Sequence, residues 1–129
     1  YYGSPCQFFI KYCRFDLGNM DIEIIEPLDK NPGNPYSDFL IRNGGKSGIQ
    51  HIAVRMADRE GFKKTMSDMG IVPMQKAVLG KPDENGFVKD CYFYDLLDQL
   101  GVILEIGSVV VGPMACDPRA GNPKNYRER

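Results

Sequence analysis

The sequence predicts an α+β fold assembled from βαβββ modules, and three observations carry that prediction. From Ile49 onward the order of elements reads strand, helix, strand, strand, strand, a complete βαβββ module. Before it come only strand, strand and a short helix, the end of an incomplete first module. The run from Leu17-Gly18 to Glu23-Ile24 echoes the run from Leu100-Gly101 to Glu105-Ile106, with gaps that differ by one residue, as duplicated modules would. At 129 residues, 43% apolar and 26% charged, the chain has the length and composition of one ordinary globular domain.

Phe8 to Leu17 is rich in aromatic and β-favouring residues, and Gly18-Asn19 is a tight-turn pair before a second β-rich run, Met20 to Glu26, so the two form a hairpin. Pro27 stops the second strand. Lys30 to Pro35 is a Pro/Gly/Asn loop, followed by a short helical pattern, Tyr36 to Asn43, that Gly44-Gly45 ends. Ile49 to Met56 reads as a strand. Asp58 then caps a helix whose Phe62, Met66 and Met69 fall on one face, with Gly70 as its stop and the methionines assigned to the core. Beyond it lie a β-like segment, Ile71 to Leu79, a turn, Gly80 to Gly86, and two strands, Val88 to Leu96 and Gly101 to Val109. The expected divisions are 1–48, the end of the first module with a connecting helix; 49–109, the second module; and 110–129, an extended Pro- and Gly-rich tail.

Sixteen Lys and Arg against seventeen Asp and Glu leave a net charge of −1, and no stretch gathers the basic residues into the stripe a phosphate backbone demands. No nucleic-acid partner is expected. No apolar run comes near the roughly 20 residues of a membrane helix, so no membrane span is expected either. Cys6, Cys13, Cys91 and Cys116 lack C-x-x-C spacing and follow no secretory signal, which reads as reduced thiols in a cytoplasmic protein; their even number also permits two disulfides.

The one histidine, His51, lies mid-strand, where alternation puts it on a face with Ala53 and Arg55, opposite Ile52, Val54 and Met56. Glu23 and Glu105 are each embedded among aliphatic neighbours, where a lone carboxylate is costly to bury unless it is paired or bound to a cation. One imidazole and two carboxylates suit a divalent ion such as Zn²⁺, Co²⁺, Mn²⁺, Ni²⁺ or Fe²⁺. Solvated outer faces of one-sided strands explain the same residues equally well at this level. Arg55 has two readings, a contact for a substrate carboxylate or carbonyl oxygen and a surface charge. Tyr92 and Tyr94, on one strand face, either line a pocket or pack in the core with hydrogen-bonded hydroxyls.

Three segments in order, Gly18-Asn19-Met20-Asp21-Ile22-Glu23-Ile24-Ile25-Glu26-Pro27-Leu28, Gly48-Ile49-Gln50-His51-Ile52-Ala53 and Leu100-Gly101-Val102-Ile103-Leu104-Glu105-Ile106, resemble the vicinal oxygen chelate superfamily. Within it they are most similar to the methylmalonyl-CoA epimerases and glyoxalase-like proteins, and the likeness spans residues 7 to 108. The resemblance implies paired modules whose mixed sheet curls into a half-open barrel around a divalent metal, with ligands at Glu23, His51 and Glu105. The family's first-strand His has no counterpart, and the strand and helix that would carry it are missing. The epimerases' other catalytic carboxylate has no match either, because Phe8 to Phe15 contains no acid.

The activity so implied is proton abstraction beside a carbonyl, through a metal-stabilised enolate, on a small carboxylic, thioester or α-oxo substrate, with Glu105 as ligand and base. Such an enzyme is an isomerase, epimerase or lyase. A non-haem iron dioxygenase and a metal-free small-molecule binding module are the rival readings. The absent segments, with a chain that opens on Tyr1 rather than Met, lead to the expectation of a piece of a longer polypeptide. Half a pair of modules cannot close a barrel, so a homodimer, or pairing with the missing first-module segment, is the expected assembly.

Overall fold

The structure is a computed structural model that describes residues 1–17, 20–79, 81, 84 and 89–107. The expected turn at Gly18-Asn19, most of the turn from Gly80 to Gly86 and the expected tail lie outside the described residues. Residues 6–46 form one compact unit, and residues 1–5 with 47–107 form another. The break after residue 46 falls near the expected division at 48, and the first five residues go with the later unit.

The earlier unit is a hairpin and a helix. β1 (Ile10–Asp16) pairs antiparallel with β2 (Asp21–Pro27), in a register that sets Cys13 opposite Ile24 and Arg14 opposite Glu23. One face therefore carries Tyr12, Arg14, Glu23 and Ile25, and the other Cys13, Phe15, Ile22 and Ile24. α1 (Pro35–Arg42) begins at Asn34, whose Oδ1 accepts from the backbone N–H groups of Tyr36 and Ser37. Pro35 at the first helical position costs no hydrogen bond, because that N–H has no intrahelical partner in any case. The Asn34 amide donates to Ser37 Oγ, which in turn donates to the Asp29 carbonyl, so both buried polar side chains are satisfied. Gly44 and Gly45, at φ +64° and +76°, make the left-handed exit that ends the helix.

The later unit is a four-stranded mixed sheet in the order β3-β6-β5-β4, with β3 (His51–Val54), β4 (Gln75–Leu79), β5 (Lys89–Leu96) and β6 (Val102–Gly107). β3 runs parallel to β6, whereas β5 is antiparallel to both β6 and β4. Parallel neighbours need a crossover, and α2 (Arg59–Asp68) supplies its helix, capped by the Asp58 carboxylate on the Gly61 N–H. The α+β class and the βαβββ order from Ile49 onward are borne out, and neither sheet closes on itself.

Three details differ from expectation. β3 is shorter than Ile49–Met56, because a strand persists only where a neighbour completes its ladder and β6 matches it from His51 to Val54. A four-residue helix, α3 (Leu97–Leu100), joins β5 to β6 and ends on Gly101 at φ +71°; one turn is too short to show periodicity. Met69, expected in the core beside Met66, is 65% exposed, because it caps α2 and the chain turns away at Gly70.

Both faces of the larger sheet are covered. On one, Tyr94, Leu96 and Ile106 pack with Met66 of α2, and Phe62 meets the Tyr94 ring edge-on at 5.6 Å. On the other, Cys91, Phe93 and Ile103 pack with Met74 and Tyr1, while the Tyr2 N–H donates to the Met74 carbonyl. Each fully buried side chain of this size contributes about 1.5–3 kcal/mol.

Candidate functional site

The register of β3, β6 and β5 puts chemistry on the sheet face away from α2. His51 lies opposite Ile103, Glu105 lies between Ala53 and Phe93, and paired residues share a face, so His51, Glu105, Cys91 and Phe93 all project to one side. His51 Nε2 stands 3.2 Å from Glu105 Oε2, with only 11% and 18% of the two side chains exposed. Phe93 meets the imidazole edge-on at 5.3 Å. On the other side of the ring, Nδ1 is hydrogen-bonded to Gln50 Oε1.

Cys91 completes the row. Burial pushes its thiol up to about 12, helped by the negative charge of Glu105 and a hydrogen bond to that carboxylate. It is therefore a neutral S–H donor beside Glu105 across the physiological range. Cys6, Cys13 and Cys91 are free among the described residues, as a reduced protein requires.

Glu23 belongs to the hairpin unit, exposed on β2, where its Oε1 accepts from the Tyr12 hydroxyl at 3.1 Å. Desolvation, then the bond to Glu23 and its charge, raises the Tyr12 phenol. Of the three expected metal ligands, the pair that meets within one unit is therefore His51 and Glu105. Within either unit, and among the described residues, no three His, Cys, Asp or Glu side chains are grouped closely enough to hold a metal ion.

Tyr92 and Tyr94 have the opposite parity on β5 and so face α2. Tyr94 is 2% exposed in the core, where burial raises its phenol. Tyr92 is flanked by the cations of Arg59, Lys63 and Lys76, 4.6–5.4 Å from its ring centroid. Asp90 pairs with Arg59, and its carboxyl is low despite burial, because Arg59, Tyr92 and Lys76 together outweigh the cost of desolvation. This cluster fastens the start of α2 to β5. Arg55 is exposed just beyond the end of β3, so strand alternation does not set its direction.

Gln50, Cys91 and Phe93 escaped the sequence reading. Cys91 and Phe93 share a strand face by simple alternation, but only the register shows that it is the face of His51 and Glu105. Gln50 adjoins His51 in sequence, which in a regular strand would point it the other way.

A family model described as the Glyoxalase/Bleomycin resistance protein/Dioxygenase superfamily matches residues 5–89. No curated protein matches the chain. Among solved structures, the chain is similar to a selenomethionine methylmalonyl-CoA epimerase at 20% identity and a TM-score of 0.42, over 67% of this chain and 56% of that one. It thus spans little more than half the length of that protein.

Proposed function

The chain belongs to the glyoxalase/bleomycin resistance/dioxygenase superfamily, and from that premise we propose that it is a metal-dependent isomerase, epimerase or lyase acting beside a carbonyl of a small carboxylic, thioester or α-oxo substrate. The observation that carries the reading is the His51–Glu105 pair. An imidazole nitrogen and a carboxylate oxygen 3.2 Å apart suit two neighbouring donors on one ion, since metal–ligand bonds of roughly 2.0–2.2 Å at tetrahedral or octahedral angles separate donor atoms by about 3 Å. The pair fits Zn²⁺, Co²⁺, Mn²⁺, Ni²⁺ or Fe²⁺ as two of its protein ligands.

When bound, such an ion supplies Lewis acidity toward the substrate's carbonyl oxygens. Glu105 then takes the proton from the adjacent carbon, leaving an enolate, and returns it to either face or to a new position. The Cys91 thiol, held neutral, orients the carboxylate through its hydrogen bond. The Phe93 ring walls the imidazole and keeps water from that side of it. Arg55 is placed in the same proposal as a contact for a substrate carboxylate. Tyr92 and Tyr94, on the α2 side of the sheet, act through packing.

The test is exchange of a substrate α-proton with deuterated water on protein loaded with Co²⁺ or Mn²⁺. Exchange that disappears in Glu105→Gln supports the reading. Absence of both exchange and metal uptake overturns it in favour of a metal-free binding module.

We also propose that two copies associate through the hairpin face that carries Phe15, Ile22 and Ile24, which are 48%, 42% and 58% exposed. A two-stranded ribbon buries too little to hide such a face by itself. Light scattering at micromolar concentration should report a dimer, and a strict monomer overturns this assembly. A cytoplasmic setting belongs to the same proposal. No described helix is long and apolar enough to cross a membrane.

A further inference from the structure

The sheet face that carries His51 and Glu105 is closed on one side of the carboxylate and open on the other. Toward β5 and β4, Glu105 is flanked by Phe93 and Cys91, which are buried and pack with Met74 and Ile103. A ligand cannot approach across that core. Toward β3 the pattern reverses, because Ala53, the partner of Glu105 in the ladder, is exposed although it shares the face of a largely covered carboxylate.

Gly107 lies two residues beyond Glu105 on β6 and so projects to the same side, about 7 Å further along the strand. A Cβ at that position would meet no atom within 4 Å among the described residues, and Gly107 does not adopt a positive φ. Neither packing nor backbone conformation therefore requires glycine there. Glycine weakens a strand, having no side chain to pack. What it leaves in return is space beside the Glu105 carboxylate.

We infer that the open corner formed by Ala53 and Gly107 receives the substituent on the carbon that gives its proton to Glu105, and that Gly107 is a specificity-determining residue that admits a short alkyl group there. This deepens the function proposed above and rests on it. The corner is floored by one methyl group and by strand backbone, with no charged or hydrogen-bonding side chain of its own, so the group it takes is apolar. One methylene more or less in such a space changes kcat/KM by roughly 10–200-fold.

The experiment measures proton exchange with deuterated water on Co²⁺-loaded protein, using two probe series whose reacting carbons carry hydrogen, methyl or ethyl. These are pyruvate, 2-oxobutanoate and 2-oxopentanoate, and the acetyl, propionyl and butyryl thioesters of N-acetylcysteamine. Gly107→Val should lower exchange of the methyl and ethyl members, relative to the hydrogen member of the same series, by roughly 10–200-fold, with Co²⁺ affinity retained. Ala53→Val, on the neighbouring strand, should shift the preference in the same sense. Preferences identical to wild type in both variants overturn the inference, and a shift in Ala53→Val alone removes Gly107 from it. Failure of the proposed reaction is read separately, from the imidazole ¹H–¹⁵N signals of His51, the one histidine of the sequence and a neighbour of Ala53 on this face, as the methyl-bearing probes are added. In a protein without exchange, wild-type signals that move, and move less in Gly107→Val, support the corner and overturn the enolate chemistry. Wild-type signals that stay in place in such a protein overturn both.

Discussion

β2 and β6 carry a similar motif, Ile22-Glu23-Ile24 in one and Leu104-Glu105-Ile106 in the other, yet these two glutamates meet different surroundings. β6 is an inner strand, with β3 on one side and β5 on the other, so Glu105 is flanked by His51 and Cys91 and largely covered. Among the described residues β2 pairs with β1 alone, and Glu23 is exposed and accepts from the Tyr12 hydroxyl. The same contrast holds for the apolar neighbours: Ile106 is 1% exposed and Ile24 is 58% exposed. A strand supplies side chains of fixed parity, and its neighbours determine whether a carboxylate among them becomes a site or a surface charge.

The largest expected effect separates the two carboxylates. Glu105→Gln should slow α-proton exchange on the order of 100-fold or more, as loss of a general base does. Glu23→Gln, which alters a carboxylate bonded to the Tyr12 hydroxyl, should leave the exchange rate unchanged. Equal loss of exchange in both variants would break the contrast and make the hairpin carboxylate a partner in the proton transfer.

Packing gives the next effect. Ile106→Ala should lower unfolding stability by about 2–5 kcal/mol, whereas Ile24→Ala should stay within about 0.5 kcal/mol, both by denaturant titration. A hairpin variant as damaging as the core variant would break the contrast by showing that Ile24 is covered in solution.

Smaller still is the fastening of α2 to β5. Asp90→Asn should cost about 1–3 kcal/mol at neutral pH, the worth of hydrogen bonds to a charged group. The folded Asp90 carboxyl titrates below its ordinary 3.8, so its contribution is present in full above that value and is lost as the pH falls through the folded one. Thermal melts of variant and wild type should therefore converge in acid. The Lys64–Asp68 pair on the exposed face of α2 marks the lower limit: Asp68→Asn should change stability by about 0.2–0.5 kcal/mol, and less with added salt.

Much of this was legible along the chain, for local reasons. Asp58 caps a helix because its short carboxylate reaches a free N–H group one turn ahead, and Gly44, Gly45 and Gly70 end helices because they accept a positive φ, whereas the cap at Asn34, read as loop, emerged only in the structure. The segment from Ile71 was read as strand, but the first of it is occupied otherwise: the Ile71 N–H closes the end of α2 on Met66, and Pro73 has no N–H to give a ladder. Met69 was placed in the core by spacing alone, and spacing does not report where a helix leaves its sheet.

The sequence by itself determined the order of the strands and the two longer helices, the Asp58 cap and the glycine stops, the parity that puts His51 with Ala53, and the family to which the chain belongs, because each depends on residues close together or on motifs read in order. The tertiary structure alone decided that β3 lies parallel to β6 with His51 two residue pairs along from Glu105 and on the same face, that Cys91 and Phe93 share that face, and that Tyr92 and Tyr94 turn toward α2. The physical reason is register. Hydrogen bonding between strands far apart in sequence is satisfied at many offsets, and only the packing of both sheet faces selects the one that brings these side chains together.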